Sequence, residues 1–388
     1  MTRQHIAHRM KGISPFHVMQ LLARAKELES AGRSIIHMEV GEPDFSSPEP
    51  VITAGKNALD AGLTGYAPAA GIPQLRKAIA ESYKRTYKID IDPKRILITP
   101  GSSGALQLIL GVCVNPGETV MMADPGYPCN QNFVKMFGGI PQQVQVDRKT
   151  NYQLTAELVE KAWTAETRAV MVASPSNPTG TLLPKEELAK IHQLVQEKGG
   201  ILLVDEIYQR LVYGVQSYTA LDIANDLFII NSFSKYFGMT GWRVGWLVAP
   251  EEYTECIERL SQNIFISSST SAQYAALRAL DPDCEVIFEK RRLDFQERRD
   301  FLYTALKEIG FDIPVLPEGA FYLYADCSKF TNDSYSFCWN LLEAEGVAVT
   351  PGKDFGENNP QKHIRFAYTN NLALLAEGVR RIKAFIKY

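Results

Sequence analysis

Six short apolar runs, rich in β-branched residues and separated by stretches of helical spacing, constrain this chain more than any other feature. They read Ile96-Leu97-Ile98-Thr99, Thr119-Val120-Met121-Met122, Ala169-Val170-Met171-Val172, Ile201-Leu202-Leu203-Val204, Phe228-Ile229-Ile230 and Val244-Gly245-Trp246-Leu247-Val248. Runs that are apolar throughout, with no polar alternation, are strands buried on both faces. With helices between them they predict a mostly parallel sheet covered on both sides, an α/β fold.

The flanks read differently. Ser14 is the expected N-cap of a first helix, with Pro15 in its first turn. Val18, Leu21, Leu22, Ala25 and Leu28 recur at helical spacing, and Gly32 is the expected stop. Ile35 to Val40 reads as a strand ending at Gly41-Glu42-Pro43-Asp44. After about residue 286 come a charged helix from Lys290 to Lys307, the runs Phe321–Tyr324, Val347–Val349 and His363–Phe366, and a last helix. That mix predicts a smaller α+β domain. A chain of 388 residues exceeds one ordinary core, which fits two domains.

Charge and cysteine usage narrow the function classes. The formal net charge is −3, so nothing draws the chain to nucleic acid or to an anionic membrane. No segment approaches the roughly 18 uninterrupted apolar residues of a membrane span. The first residues lack the apolar core of a leader peptide. The six cysteines (Cys113, Cys129, Cys256, Cys284, Cys327 and Cys338) form no Cys-x-x-Cys pair. Free thiols in a reducing, cytoplasmic setting are expected. No Gly-x-Ser-x-Gly elbow occurs, and His5, His8, His17, His37, His192 and His363 lack metal-ligand spacing, so no metal is expected.

Polar residues gather where the expected strands end, which is where open α/β sheets bind ligands. The first run leads into Pro100-Gly101-Ser102-Ser103, a helix start of the kind that holds anions. The next leads to Tyr127, able to stack on a planar ring, and the third to Asn177-Pro178. The fourth ends at Asp205, followed by Tyr208. A carboxylate ending a doubly buried strand needs a cationic partner or a shifted pKa. The fifth ends at Ser232 and Ser234, beside Lys235, with Arg243 eight residues on. Taken singly these are capping serines, a packing tyrosine, a turn and a surface lysine. Together they make a phosphate cradle, a stacking ring, an amide, a carboxylate, a phenol and an amine. Pyridoxal phosphate is the common cofactor that needs this set, its aldehyde bonded to the lysine as a Schiff base.

With these loops in order, the chain resembles the class I aminotransferases, of the aspartate aminotransferase fold family of pyridoxal phosphate enzymes. The resemblance runs from Val40-Gly-Glu-Pro-Asp-Phe45 through Tyr66-Ala-Pro-Ala-Ala-Gly-Ile-Pro73 to Arg365. It implies a large domain (49–285) with a seven-stranded type of sheet, and a small α+β domain assembled from both chain ends (1–48 and 286–388). It implies that Lys235 carries the cofactor and then moves the proton. Asp205 holds the ring nitrogen, Asn177 and Tyr208 reach the ring's phenolic oxygen, and Tyr127 covers the ring. Ser102, Ser103, Ser232 and Arg243 take the phosphate. Arg365 and Asn177 hold the substrate α-carboxylate, and the backbone at Gly41 closes over it. Tyr66 resembles the tyrosine that reaches a neighbouring subunit's cofactor, which implies a homodimer. The implied reaction passes an amino group between an L-amino acid and a 2-oxo acid by a ping-pong route.

Two features depart from aspartate-specific members of the family. Ser261 to Thr270 holds no arginine or lysine, and Ser103 stands where a phosphate-loop lysine would. Both argue against strict dicarboxylate specificity and leave alanine, aromatic or branched-chain donors open. Phe16, His17, Phe265 and Tyr322 are candidates for the side-chain pocket. The same scaffold also serves carbon–sulfur β-lyases, which would share Lys235 and Asp205.

Overall fold

The computed structural model describes residues 6–387. Met1 to His5, and with them the expectation for His5, lie outside them. Seven strands form the central sheet: β2 (Ile96–Thr99), β3 (Thr119–Asp124), β4 (Ile140–Gln145), β5 (Thr167–Ala173), β6 (Ile201–Asp205), β7 (Phe228–Ser232) and β8 (Gly245–Val248). Their order is β2-β8-β7-β6-β5-β3-β4. β8 is antiparallel to both neighbours, and every other pairing in the sheet is parallel. The reversal matters: the residues just before β8 lie on the same edge as the carboxyl ends of the other six.

Alternate residues of the sheet strands other than the edge strand β4 feed two separate cores. Ile98, Met121, Val170, Val172, Leu202, Val204 and Ile229 enter one. Leu97, Val120, Met122, Ala169, Met171, Leu203, Phe228 and Ile230 enter the other, with the helix Gly101–Cys113 packed over them. Each such side chain removed from water contributes about 1.5–3 kcal/mol, which is why these strands read as unbroken apolar runs.

The six expected strands are all present. β4 was not foreseen, because its sequence Ile-Pro-Gln-Gln-Val-Gln is polar and it lies at the sheet edge. Elsewhere β1 (Ile36–His37) is shorter than expected and pairs in parallel with β10 (Val347–Ala348). β9 (Tyr322–Asp326), β11 (Thr350–Pro351) and β12 (His363–Ala367) form a three-stranded antiparallel sheet in the order β11-β12-β9. Of the single run expected at Val347–Val349, Val347 and Ala348 form β10, and the chain enters the other sheet only at Thr350.

The first helix, α1 (His17–Ser30), corrects the expected start. Ser14 is not its cap, and Pro15 lies outside it. The orphan amides at His17 and Val18 are taken by the Asp354 carboxylate at 2.7 and 2.8 Å. A cap supplied from the far end of the chain leaves no local signal. The helix does stop just before Gly32, whose φ is +89°.

Candidate active site

The strand ends define a cavity of ≈ 280 Å³. Lys235, Asp205, Asn177, Tyr208 and Tyr127 line it, as do Ser102, Ser103, Arg243, Arg365 and Gly41. Ten of the twelve residues singled out in the sequence therefore meet in one place.

Two of them do not line the cavity. Ser232 is 1% exposed, and its hydroxyl donates to Ser234 Oγ at 2.9 Å and reaches the Val244 carbonyl at 3.2 Å. Ser234, two residues further along the turn, reaches the cavity in its place. Tyr66 is 84% exposed and lies away from the cavity of its own chain. Of the pocket candidates, Phe16 and Tyr322 line the wall. His17 instead packs edge-on against Tyr335, and Phe265 packs beside the second core.

At the phosphate end, the helix Gly101–Cys113 points its amino terminus into the cavity with Ser102 and Ser103. Gly101 has φ +69°, and a Cβ there would come within 2.6 Å of an Arg243 guanidinium nitrogen. A Cβ on Gly245 would meet the Gly101 and Ser102 backbone at 2.8 and 2.9 Å. Small residues thus let a guanidinium and free helix amides converge, which is anion-binding chemistry. Arg243 donates to the Thr240 carbonyl at 3.0 Å, and the Thr240 hydroxyl donates to Glu42 at 2.5 Å.

In the middle stand Asp205 and Lys235. Asp205 is buried and accepts one backbone bond, from Ile207 at 3.1 Å. Burial pushes its carboxyl up to about 6 against a weaker opposing pull from Lys235, and among the described residues it forms no salt bridge. A cationic ring nitrogen would supply one. The Lys235 amine is enclosed, and burial pulls it down to about 8 against the opposing pull of Glu42. It donates to the Gly41 carbonyl at 2.7 Å.

At the far end, Arg365 is 3% exposed and has no carboxylate partner among the described residues. It donates to Asn177 Oδ1 at 2.9 Å, to Thr350 Oγ1 at 3.2 Å and to the Glu39 carbonyl. Its Nε has no partner, and its guanidinium sits 4.3 Å over the Tyr322 ring. A buried cation with donors unused is a site for a carboxylate. Because Asn177 accepts through its oxygen, its NH₂ remains as a donor. The cavity thus offers a phosphate cradle, an amine, a buried carboxylate without a salt bridge and a buried guanidinium without one. Pyridoxal phosphate fits the first three and a substrate carboxylate the fourth.

Sequence reasoning assigned no role to Glu42, Thr240 or the apolar wall of Val18, Met19, Leu106 and Ile207, and it named Ser234 but gave the phosphate to Ser232 instead. Ser234 and Glu42 each adjoin a residue that was singled out, and adjacency was the available signal. Among the described residues, no helix is long and apolar enough to cross a membrane, and no group of three or more His, Cys, Asp or Glu side chains could hold a metal ion.

Residues 33–382 match the family model for aminotransferase class I and II. The chain is 37% identical over 384 residues to the (5-formylfuran-3-yl)methyl phosphate transaminase of Methanocaldococcus jannaschii, covering 98% of this chain and 99% of the relative. It is 36% identical over 377 residues to the valine–pyruvate aminotransferase of Mycobacterium tuberculosis, covering 97% of each. Its fold superposes on the aspartate aminotransferase of Thermus thermophilus with maleate at a TM-score of 0.93, with 33% identity, covering 98% of this chain and 99% of that one.

Proposed function

The chain belongs to the class I and II aminotransferase family, and from that premise we propose that it passes an amino group between an L-amino acid and a 2-oxo acid in two half-reactions, by a ping-pong route. It is a transaminase that depends on pyridoxal phosphate. The observation that carries the finer reading is the enclosed Lys235 amine in one cavity with a buried carboxylate and a buried guanidinium that form no salt bridge.

Bound pyridoxal phosphate supplies an aldehyde that exchanges amines and a protonated ring that takes up the electron pair left on the substrate α-carbon. Lys235 would hold its aldehyde carbon, Asp205 its ring nitrogen, and Asn177 and Tyr208 its phenolic oxygen. Tyr127 would cover its face. Ser102, Ser103, Arg243 and Ser234 would take its phosphate, with Ser232 bracing Ser234 from behind. Arg365 and Asn177 orient the substrate by its α-carboxylate, beneath the Gly41 backbone. The Lys235 amine, neutral once free, takes the proton from the substrate α-carbon and returns it. Its lowered pKa raises the neutral fraction near pH 7.

The preferred donor has an uncharged side chain. Arg243 faces the phosphate and Arg365 the α-carboxylate, which leaves no cation on this chain's wall for a second carboxylate. Phe16, Val18, Met19 and Leu106 line that wall instead.

The division into a large domain (49–285) and a small one (1–48 with 286–388) belongs to the same reading and is supported by the pairing of β1 with β10. So does a homodimer in which Tyr66 reaches the neighbouring site. Its exposure, and that of Leu59, Leu63 and Ile266, supports a covered face. Six unpaired cysteines fit a cytoplasmic setting.

The test is to add single amino acids to the loaded protein without an oxo acid. A 2-oxo acid should form once per site, with a change in the visible spectrum and no ammonia. Pyruvate and ammonia accumulating from sulfur amino acids would instead identify a β-lyase.

A further inference from the structure

We propose that Tyr322 is a positioning residue that couples the two halves of the site: its hydroxyl sets the direction of the Tyr208 hydroxyl, and its ring carries the Arg365 guanidinium. The inference rests on the roles given above to Tyr208 and Arg365.

Tyr322 opens β9 and is 1% exposed, yet it lines the cavity. Its hydroxyl oxygen lies 2.8 Å from that of Tyr208, with the rings 5.8 Å apart at 81°. In the register of β9 and β12, Tyr324 faces Arg365. Tyr322 lies two residues away on the same face of the sheet, so its ring comes beneath the guanidinium at 4.3 Å. The Gly41 backbone presses on the same hydroxyl: a Cβ there would come within 1.7 Å of it. Glycine at 41 is therefore what lets Tyr322 reach Tyr208.

The direction of the shared hydrogen bond follows from the role proposed for Tyr208. Each phenol has one hydrogen and two lone pairs. The Tyr322 hydroxyl has Tyr208 as its single partner among the described residues. If Tyr208 donated, the Tyr322 hydrogen would have no acceptor in a buried place. If Tyr322 donates, its hydrogen is used on Tyr208, and the Tyr208 hydrogen is left to reach the phenolic oxygen of the cofactor in the role proposed for it above. The cation over the Tyr322 ring favours this sense, because it strengthens that phenol as a donor. A donor behind Tyr208 also polarises its hydroxyl and strengthens the bond that it gives in turn.

The experiment compares wild type, Tyr322→Phe, Tyr322→Leu, Tyr208→Phe and the double variant Tyr208→Phe/Tyr322→Phe, each loaded with pyridoxal phosphate. Two quantities are read: the pH midpoint of the visible absorbance, and the binding of 4-methylpentanoate, a carboxylate without an amine. A donor to the cofactor's phenolic oxygen favours the proton-poor bound form, so weakening it moves the midpoint up. Tyr322→Phe should raise the midpoint and leave 4-methylpentanoate binding within about twofold of wild type. Tyr322→Leu should raise it equally and weaken that binding about tenfold, as expected for loss of a desolvated cation–ring contact. The double variant should show no shift beyond Tyr208→Phe alone, because one hydroxyl acts through the other. An unmoved midpoint in Tyr322→Phe, additive shifts in the double variant, or undiminished carboxylate binding in Tyr322→Leu would overturn the inference. Wild-type protein that gained no visible absorbance from pyridoxal phosphate would overturn the site reading itself.

Discussion

The Lys235 amine donates to the Gly41 carbonyl at 2.7 Å, although 194 residues separate the two. The strap at 41–42 is in turn tied to Thr240 through Glu42. The lysine is therefore enclosed by a segment from the other end of the chain, and that enclosure lowers its pKa to about 8.

In the cofactor-free protein, acetic anhydride should label Lys235 with a pH midpoint near 8, against about 10.4 for exposed lysines. The sign is that of a depressed base: the reactive neutral form appears at lower pH. Peptide mass spectrometry of the labelled protein reads the midpoint. Lys235→Ala should reduce single-turnover rates by at least about 10⁴-fold, and near-normal turnover would remove the lysine from the mechanism.

Asp205→Asn should separate function from stability. The folded carboxyl titrates near 6, above the usual 3.8. The folded state then binds more protons than the unfolded one between those values, and stability is lost as pH rises through about 6. At pH 8 the cofactor-free Asn variant should melt several degrees higher than wild type. Its kcat should fall by about 10²–10⁴-fold, because nothing then holds the ring nitrogen protonated. Calorimetry without cofactor and single-turnover kinetics with it check the two halves.

Arg365→Lys keeps a positive charge but loses the planar fork that donates two bonds to a carboxylate. An increase in KM of about 10–100-fold is expected for every amino acid donor alike, since all share the α-carboxylate. A loss confined to one donor class would mean that Arg365 reads side chains.

Asp354→Ala removes both caps of α1 at once. Urea unfolding should show a loss of about 1–2 kcal/mol. Because Phe16, Val18 and Met19 line the cavity from this segment, KM for apolar donors should rise several-fold. Asp354→Asn, which keeps one acceptor, should fall between.

Much of this site was legible because its residues follow apolar runs whose strand character local composition fixes. Asp205 and Lys235 could be placed from Ile201–Val204 and Phe228–Ile230 without any knowledge of the rest of the chain. What stayed hidden depends on partners distant in sequence. The Asp354 cap on α1, the covering of Lys235 by Gly41 and the pairing of Ile36 with Val347 leave no mark at either end. β4 escaped because an edge strand with little burial need not be apolar. Ser232 and Ser234 could not be told apart, because a two-residue difference in a turn decides which hydroxyl faces the cavity and which faces the backbone.

The register of β1 on β10 orders events while the chain is being made. The Ile36 and Met38 amides bond the Gly346 and Ala348 carbonyls at 2.8 and 2.9 Å, and the amides at His17 and Val18 wait for Asp354. On a ribosome all of these acceptors emerge after the last strand of the central sheet. Until then these amides lack the partners they have in the folded protein, and a segment whose Leu21, Ala25 and Met38 are buried in the final core is of the kind chaperones bind. The strand at Ile36 can settle only after the strand it pairs with has been made.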